Sequence, residues 1–158
     1  HKPITVSKPI VEAKMKKDKY LNLSHNSLYF ILNDVKYLRI FKSELGYFEL
    51  KEEREIVNTL DYYVDKHDNY SLADFISFLA DNENVMNLVL EIINENKIDN
   101  LDYEQFMEYL KGMKRYLQIQ KINNLKLKIK NEMDMDQKVK LMEKLTELKK
   151  GCVDYGRN

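Results

Sequence analysis

Two stretches alternate oxygen-bearing side chains in the manner of a calcium loop: Asp65-x-His67-x-Asn69-x-Ser71 and Asn94-x-Asn96-x-Ile98. A calcium loop of the EF-hand kind needs a glycine at its centre for the sharp turn and a bidentate carboxylate at its end. The first stretch lacks the glycine and reaches Ile76 where the closing glutamate belongs. The second has Ile98 at a ligand position, Asp99 at the glycine position and the amide Gln105 at the end. Both therefore read as interhelical loops with caps. His25 and His67 are far apart and in no zinc spacing, and Cys152 is the single cysteine. No glycine-rich phosphate loop or nucleophile elbow occurs, so the chain carries no visible catalytic apparatus, metal site or cofactor site. Paired carboxylates are frequent between 23 and 112, but eighteen acids there produce pairs by chance.

The remaining chemistry is electrostatic. The 158 residues have a net charge of zero, yet residues 1–22 carry +4, residues 23–112 carry −10 and residues 113–158 carry +6. Such segregation points to partners. In the last segment Lys121, Lys126, Lys128, Lys130, Lys138, Lys140, Lys144, Lys149 and Lys150 could meet phosphates. Arginines and base-stacking aromatics are scarce there, which favours an acidic protein partner and leaves only weak DNA contact. One cysteine suits a reducing cytosol, and no apolar run is long enough for a membrane span. Starting at His1, the chain reads as a fragment of something longer.

With two prolines and four glycines in 158 residues, the chain is expected to be all-α. Residues 1–21 read as a flexible Lys/Pro linker. Residues 22–117 read as a bundle of short helices. Ser24 caps the first, with Leu28, Ile31, Leu32 and Val35 as its core positions, and Asp34 caps the second, which Gly46 ends. Tyr47 and Phe48 plug the connection that follows. A third helix buries Ile56, Val57, Leu60, Tyr63 and Val64. Ser71-x-x-Asp74 is a capping box opening a fourth, Asn84 or a neighbour starts a fifth, and Asp102 opens a long sixth.

That long helix organises the rest. Its stripe Phe106, Leu110, Met113 and Leu117 would continue onto polar Gln120, Lys121 and Asn124, and a second stripe takes over: Ile119, Ile122, Leu125, Ile129 and Met133. The second stripe lies roughly 140° around the helix from the first. Residues 118–158 therefore read as a helical hairpin turning at Met133–Asp136, with a short disordered C-terminus. Leu117, Gln118, Gln120 and Lys121 form the expected hinge between bundle and hairpin. Val139, Leu141, Met142, Leu145 and Leu148 of the return helix span more circumference than one neighbour covers, and Leu127 points away from the seam. Surplus apolar surface rimmed by lysine marks an interface.

The layout resembles the C-terminal helicase-interaction domain of bacterial DnaG-type primases. The resemblance runs from about Leu21 to Gly151. It is carried by Asn26-Ser27-Leu28-Tyr29-Phe30-Ile31-Leu32-Asn33-Asp34, Leu45-Gly46-Tyr47-Phe48 with Glu52-Glu53-Arg54-Glu55-Ile56, Tyr103-x-x-Phe106 with Tyr109-Leu110, and Tyr116-Leu117-Gln118-Ile119-Gln120-Lys121. The opening Ser24-His25-Asn26 departs from the pattern of the relatives. The resemblance implies a non-catalytic domain of the bacterial replisome in the cytoplasm, whose polymerase and zinc-binding parts would lie upstream. Its hairpin would dock on the N-terminal domain of the replicative DnaB-type helicase and its bundle would modulate that helicase. The expected contacts are Leu127, Met133, Met135, Leu141 and Leu148, with Lys138, Lys144 and Lys149 steering. Two alternatives stand beside this reading: a nucleic-acid-binding module using the basic hairpin, and the N-terminal domain of the helicase itself, which has a similar fold.

Overall fold

The structure, a computed structural model, describes residues 7–96 and 98–156. Among them lie seven α-helices and no strand: α1 (Ser7–Asn33), α2 (Lys36–Glu44), α3 (Lys51–Lys66), α4 (Leu72–Phe78) with a 3-10 turn at Leu79–Asp81, α5 (Glu83–Glu95), α6 (Tyr103–Asn131) and α7 (Met135–Gly156). The fold is all-α. The chain divides into two compact units, with the boundary inside α6 between Leu110 and Lys111 rather than at Leu117.

The first helix differs most from expectation. Residues 1–6 of the expected linker lie outside the described residues, but 7–21 form the first half of α1. Pro9 falls in the first turn, where its missing N–H breaks no helical hydrogen bond, and the Lys, Ala, Met and Glu residues that follow are strong helix formers. Tyr20, assigned to the linker, is buried, and its hydroxyl accepts from the Glu49 N–H at 2.9 Å. Ser24 is consequently no cap. It sits inside the helix, donating to Leu21 O at 3.0 Å or to a carboxylate on α3.

In the first unit α1 packs against α2 and α5, and α3 packs against α5. Leu28, Phe30, Ile31 and Leu32 are all fully buried, together with Ser24 and Ser27, so α1 is enclosed on more than one face. Phe30 stacks on Phe106 with ring centroids 5.7 Å apart, and Tyr37 meets both rings at 5.2 and 4.8 Å. Phe48 is the plug that was expected, stacked on Phe41 at 4.4 Å, whereas Tyr47 points outward.

Local chemistry sets the helix ends. Ser71 Oγ accepts from the Asp74 N–H at 3.2 Å, and Asn82, not Asn84, caps α5 through the Val85 N–H at 3.4 Å. Asp34 accepts from the Lys36 N–H at 3.0 Å. Gly46 ends α2 at φ +88°, its N–H bonded to Phe41 O at 2.9 Å. A Cβ there would meet only Lys42 O at 3.8 Å, so the demand for glycine is conformational rather than steric. Gly46→Ala is expected to cost about 1–2 kcal/mol, read as a Tm lowered by several degrees with native circular dichroism retained.

In the second unit α6 and α7 form the hairpin. Ile122 and Leu125 are buried, and Ile129, Leu141, Leu145 and Leu148 are half-buried. Gln118 Nε2 donates to Leu148 O at 3.1 Å across the two helices. The reversal comes slightly earlier than expected. After α6 ends at Asn131, Asp134 caps α7 through the N–H groups of Asp136 and Gln137 at 2.9 and 3.3 Å. Met133 therefore lies past the helix end and leaves the inner stripe, 94% exposed. Helix α7 runs to Gly156, and the last two residues of the expected disordered C-terminus, 157 and 158, lie outside the described residues.

Candidate partner-binding surface

Along α7, Leu141, Leu145 and Leu148 are spaced i, i+4, i+7 and form the half-buried side of the return helix. Met135, Val139 and Met142 repeat the same spacing on another side, and all three are exposed. The hairpin seam and an outward apolar stripe thus belong to one helix. Leu127, 58% exposed, adds to the outward set from α6. A concavity of about 500 Å³ lined by Leu127, Lys128, Asn131, Glu132, Gln137 and Leu141 brings residues of the two arms together.

Among the expected contacts, Leu127, Met133 and Met135 are exposed, while Leu141 and Leu148 are half-buried in the seam. Lys144 and Lys149 are exposed and Lys138 is half-buried. Val139 and Met142 are exposed apolar residues that the expected contact set left out. The i, i+4, i+7 spacing from Met135 would have marked them. Lys126, Lys128, Lys130, Lys140 and Lys144 are in no ion pair among the described residues, and Lys150 lies 4.0 Å from Glu147. Their charge is free to steer a partner. At the expected hinge, Leu117, Gln118 and Gln120 are half-buried and Lys121 is exposed, all within unbroken α6.

A second cluster, in the first unit, has no trace in the sequence spacing. Glu53, in the first turn of α3, is 1% exposed. Its Oε1 accepts from Ser24 Oγ at 2.6 Å and lies 3.6 Å from His25 Nε2, while Oε2 has no partner. The other ring nitrogen of His25 lies 3.8 Å from Glu95 on α5. Burial pushes the Glu53 carboxyl up to about 7; the Ser24 hydrogen bond opposes the shift, and Glu52 and Glu49 add to it. Such a carboxyl exchanges protons near neutrality, but substrate would have to enter the packed helices to reach it.

Among the described residues no group of three or more His, Cys, Asp or Glu could hold a metal ion, and no helix is long and apolar enough to cross a membrane. No family model, curated protein or solved structure matches the chain.

Proposed function

We propose that the chain is a non-catalytic docking domain of the bacterial-primase kind, whose hairpin seats on the N-terminal domain of a replicative DnaB-type helicase in the cytoplasmic replisome. The observation that carries this is the outward stripe Met135, Val139 and Met142 on α7, with Leu127 exposed on the other arm, on a hairpin whose seam is filled by other residues. Apolar anchors in a rim of unpaired lysines fit a protein surface that is apolar at its centre and acidic around it. The choice of a helicase domain as that partner rests on the sequence resemblance. On this reading the domain needs no cofactor, the polymerase chemistry belongs to another part of the protein, and α6 between Leu117 and Lys121 is where the hairpin would swing.

Calorimetry of the chain with that helicase domain tests the proposal. Leu127→Ser and Met142→Ser are each expected to weaken binding by roughly tenfold or more, without change in circular dichroism. Binding that survives both substitutions would remove the hairpin from the interface. The free lysines also favour a second reading, a nucleic-acid grip. A phosphate binder would lose affinity steeply with salt and show little response to Met142→Ser.

A further inference from the structure

The first unit carries an exposed apolar patch with a rim charge opposite to that of the hairpin. On α3, Tyr62, Asp65 and Lys66 fall at i, i+3 and i+4 and share a face. On α4 and the turn after it, Asp74, Phe78 and Asp81 fall at i, i+4 and i+7. The Tyr62 and Phe78 rings join the two faces, their centroids 6.4 Å apart and their planes 30° from parallel. Tyr62 is 59% exposed and Phe78 42%. The Phe78 ring is held from beneath, since it lies 5.1 Å from the buried Tyr63, which also stacks on His67 at 4.0 Å. Asp65, Asp74 and Asp81 are exposed, and none is in an ion pair among the described residues. The ammonium of Lys66 lies 5.8 Å from the Tyr62 ring centroid, so that ring already has a cation over it.

We propose that this face docks an arginine- and lysine-bearing segment of another protein. An arginine of that segment lies across the Tyr62–Phe78 pair, and Asp65, Asp74 and Asp81 receive the cationic groups around it. Aromatic faces attract cations, and a planar, weakly hydrated guanidinium both stacks on a ring and forks to carboxylates. A ring fixed by packing loses little entropy when it binds, and an aromatic centre with a charged rim is the usual form of a binding hot spot. Charge selects the partner. Asp61 is ion-paired with Lys42 of α2, and Asp65 borders a concavity that Lys36, Arg39 and Lys42 also line. Between residues 62 and 83, however, there remain five acids, none in an ion pair among the described residues, against one lysine, which disfavours nucleic acid and acidic protein alike. This surface is independent of the hairpin, so the docking role of the hairpin can fail and leave it standing.

The test is titration of the ¹⁵N-labelled chain with a hexa-arginine peptide at moderate salt. Shifts are expected to centre on Tyr62, Lys66, Phe78 and Asp81. Affinity should fall about tenfold in Tyr62→Ser and in the Asp74→Asn/Asp81→Asn double variant. It should be unchanged in Glu104→Gln/Glu108→Gln, two exposed acids elsewhere in the bundle. The asparagine pair leaves both rings in place, so a loss there does not reduce to misfolding. Absence of shifts would overturn the proposal. So would shifts spread over every acidic residue with an equal loss in the Glu104/Glu108 variant, which is diffuse attraction. Equal shifts at the same residues on adding a single-stranded oligonucleotide would overturn it in favour of base stacking.

Discussion

Phe30→Ala is expected to cost about 3–5 kcal/mol of folding stability, a large share of what a domain of this size possesses. The magnitude follows from where the ring sits. Phe30 is fully buried on α1 and contacts Tyr37, Phe106 and Tyr109 at centroid distances of 5.2, 5.7 and 5.6 Å. It therefore ties α1 to α2 and to the first turns of α6 at one point. Its removal forfeits the transfer free energy of the ring, and it also leaves a cavity that three aromatics on two other helices cannot all collapse into. Edge and stacked aromatic geometry adds a further contribution beyond buried area. Urea unfolding followed by circular dichroism measures it, with a lower midpoint and an unchanged slope expected. A loss below about 1 kcal/mol would mean that the ring is not a packing centre.

The second large effect depends on pH. The folded-state pKa of Glu53, about 7, lies above its ordinary value of 4.5, so the folded protein binds the proton more tightly than the unfolded chain. Stability is then expected to fall as pH rises through that window, by an amount on the order of 3 kcal/mol between about pH 4.5 and pH 7.5. Below the window both states are protonated and the penalty vanishes. The groups facing the carboxyl are Ser24 and His25 from α1, Glu49, Glu52 and Arg54 around the start of α3, and Glu95 of α5 through the imidazole. A charged His25 would offset part of the penalty, so the comparison that isolates Glu53 is wild type against Glu53→Gln. The amide has the shape of the protonated acid and can still accept from Ser24. Glu53→Gln should match wild type near pH 4, exceed it near pH 8, and flatten the profile between. Parallel curves for the two proteins would show that desolvation does not govern this carboxyl.

The elements easiest to read in advance were those held together over a few residues. Ser71 accepts from Asp74 and Gly46 takes a left-handed turn because these need only a side-chain oxygen or a missing Cβ at the right place. The surplus of apolar positions on α7 was likewise visible as arithmetic around one helix. Extrapolating such local rules failed where a longer context prevailed. Ser24 has the chemistry of a cap, yet the helix formers upstream of it carry α1 back to Ser7 and place it mid-helix. Met133 continues a periodicity that ended when Asp134 capped the next helix.

For this protein, then, residue order alone determined the all-α class, most of the caps, the hairpin and the charge segregation. Each follows from interactions within about one or two helical turns, or from composition. The resemblance that suggests a helicase partner also lives at that level. Only the tertiary structure decided that Ser24 meets Glu53, that Phe30 sits among Tyr37, Phe106 and Tyr109, and that Tyr62 and Phe78 form one exposed pair. Those contacts join residues on separate helices. No single-helix periodicity encodes which faces of two helices meet, because that is set by packing all of the buried side chains at once.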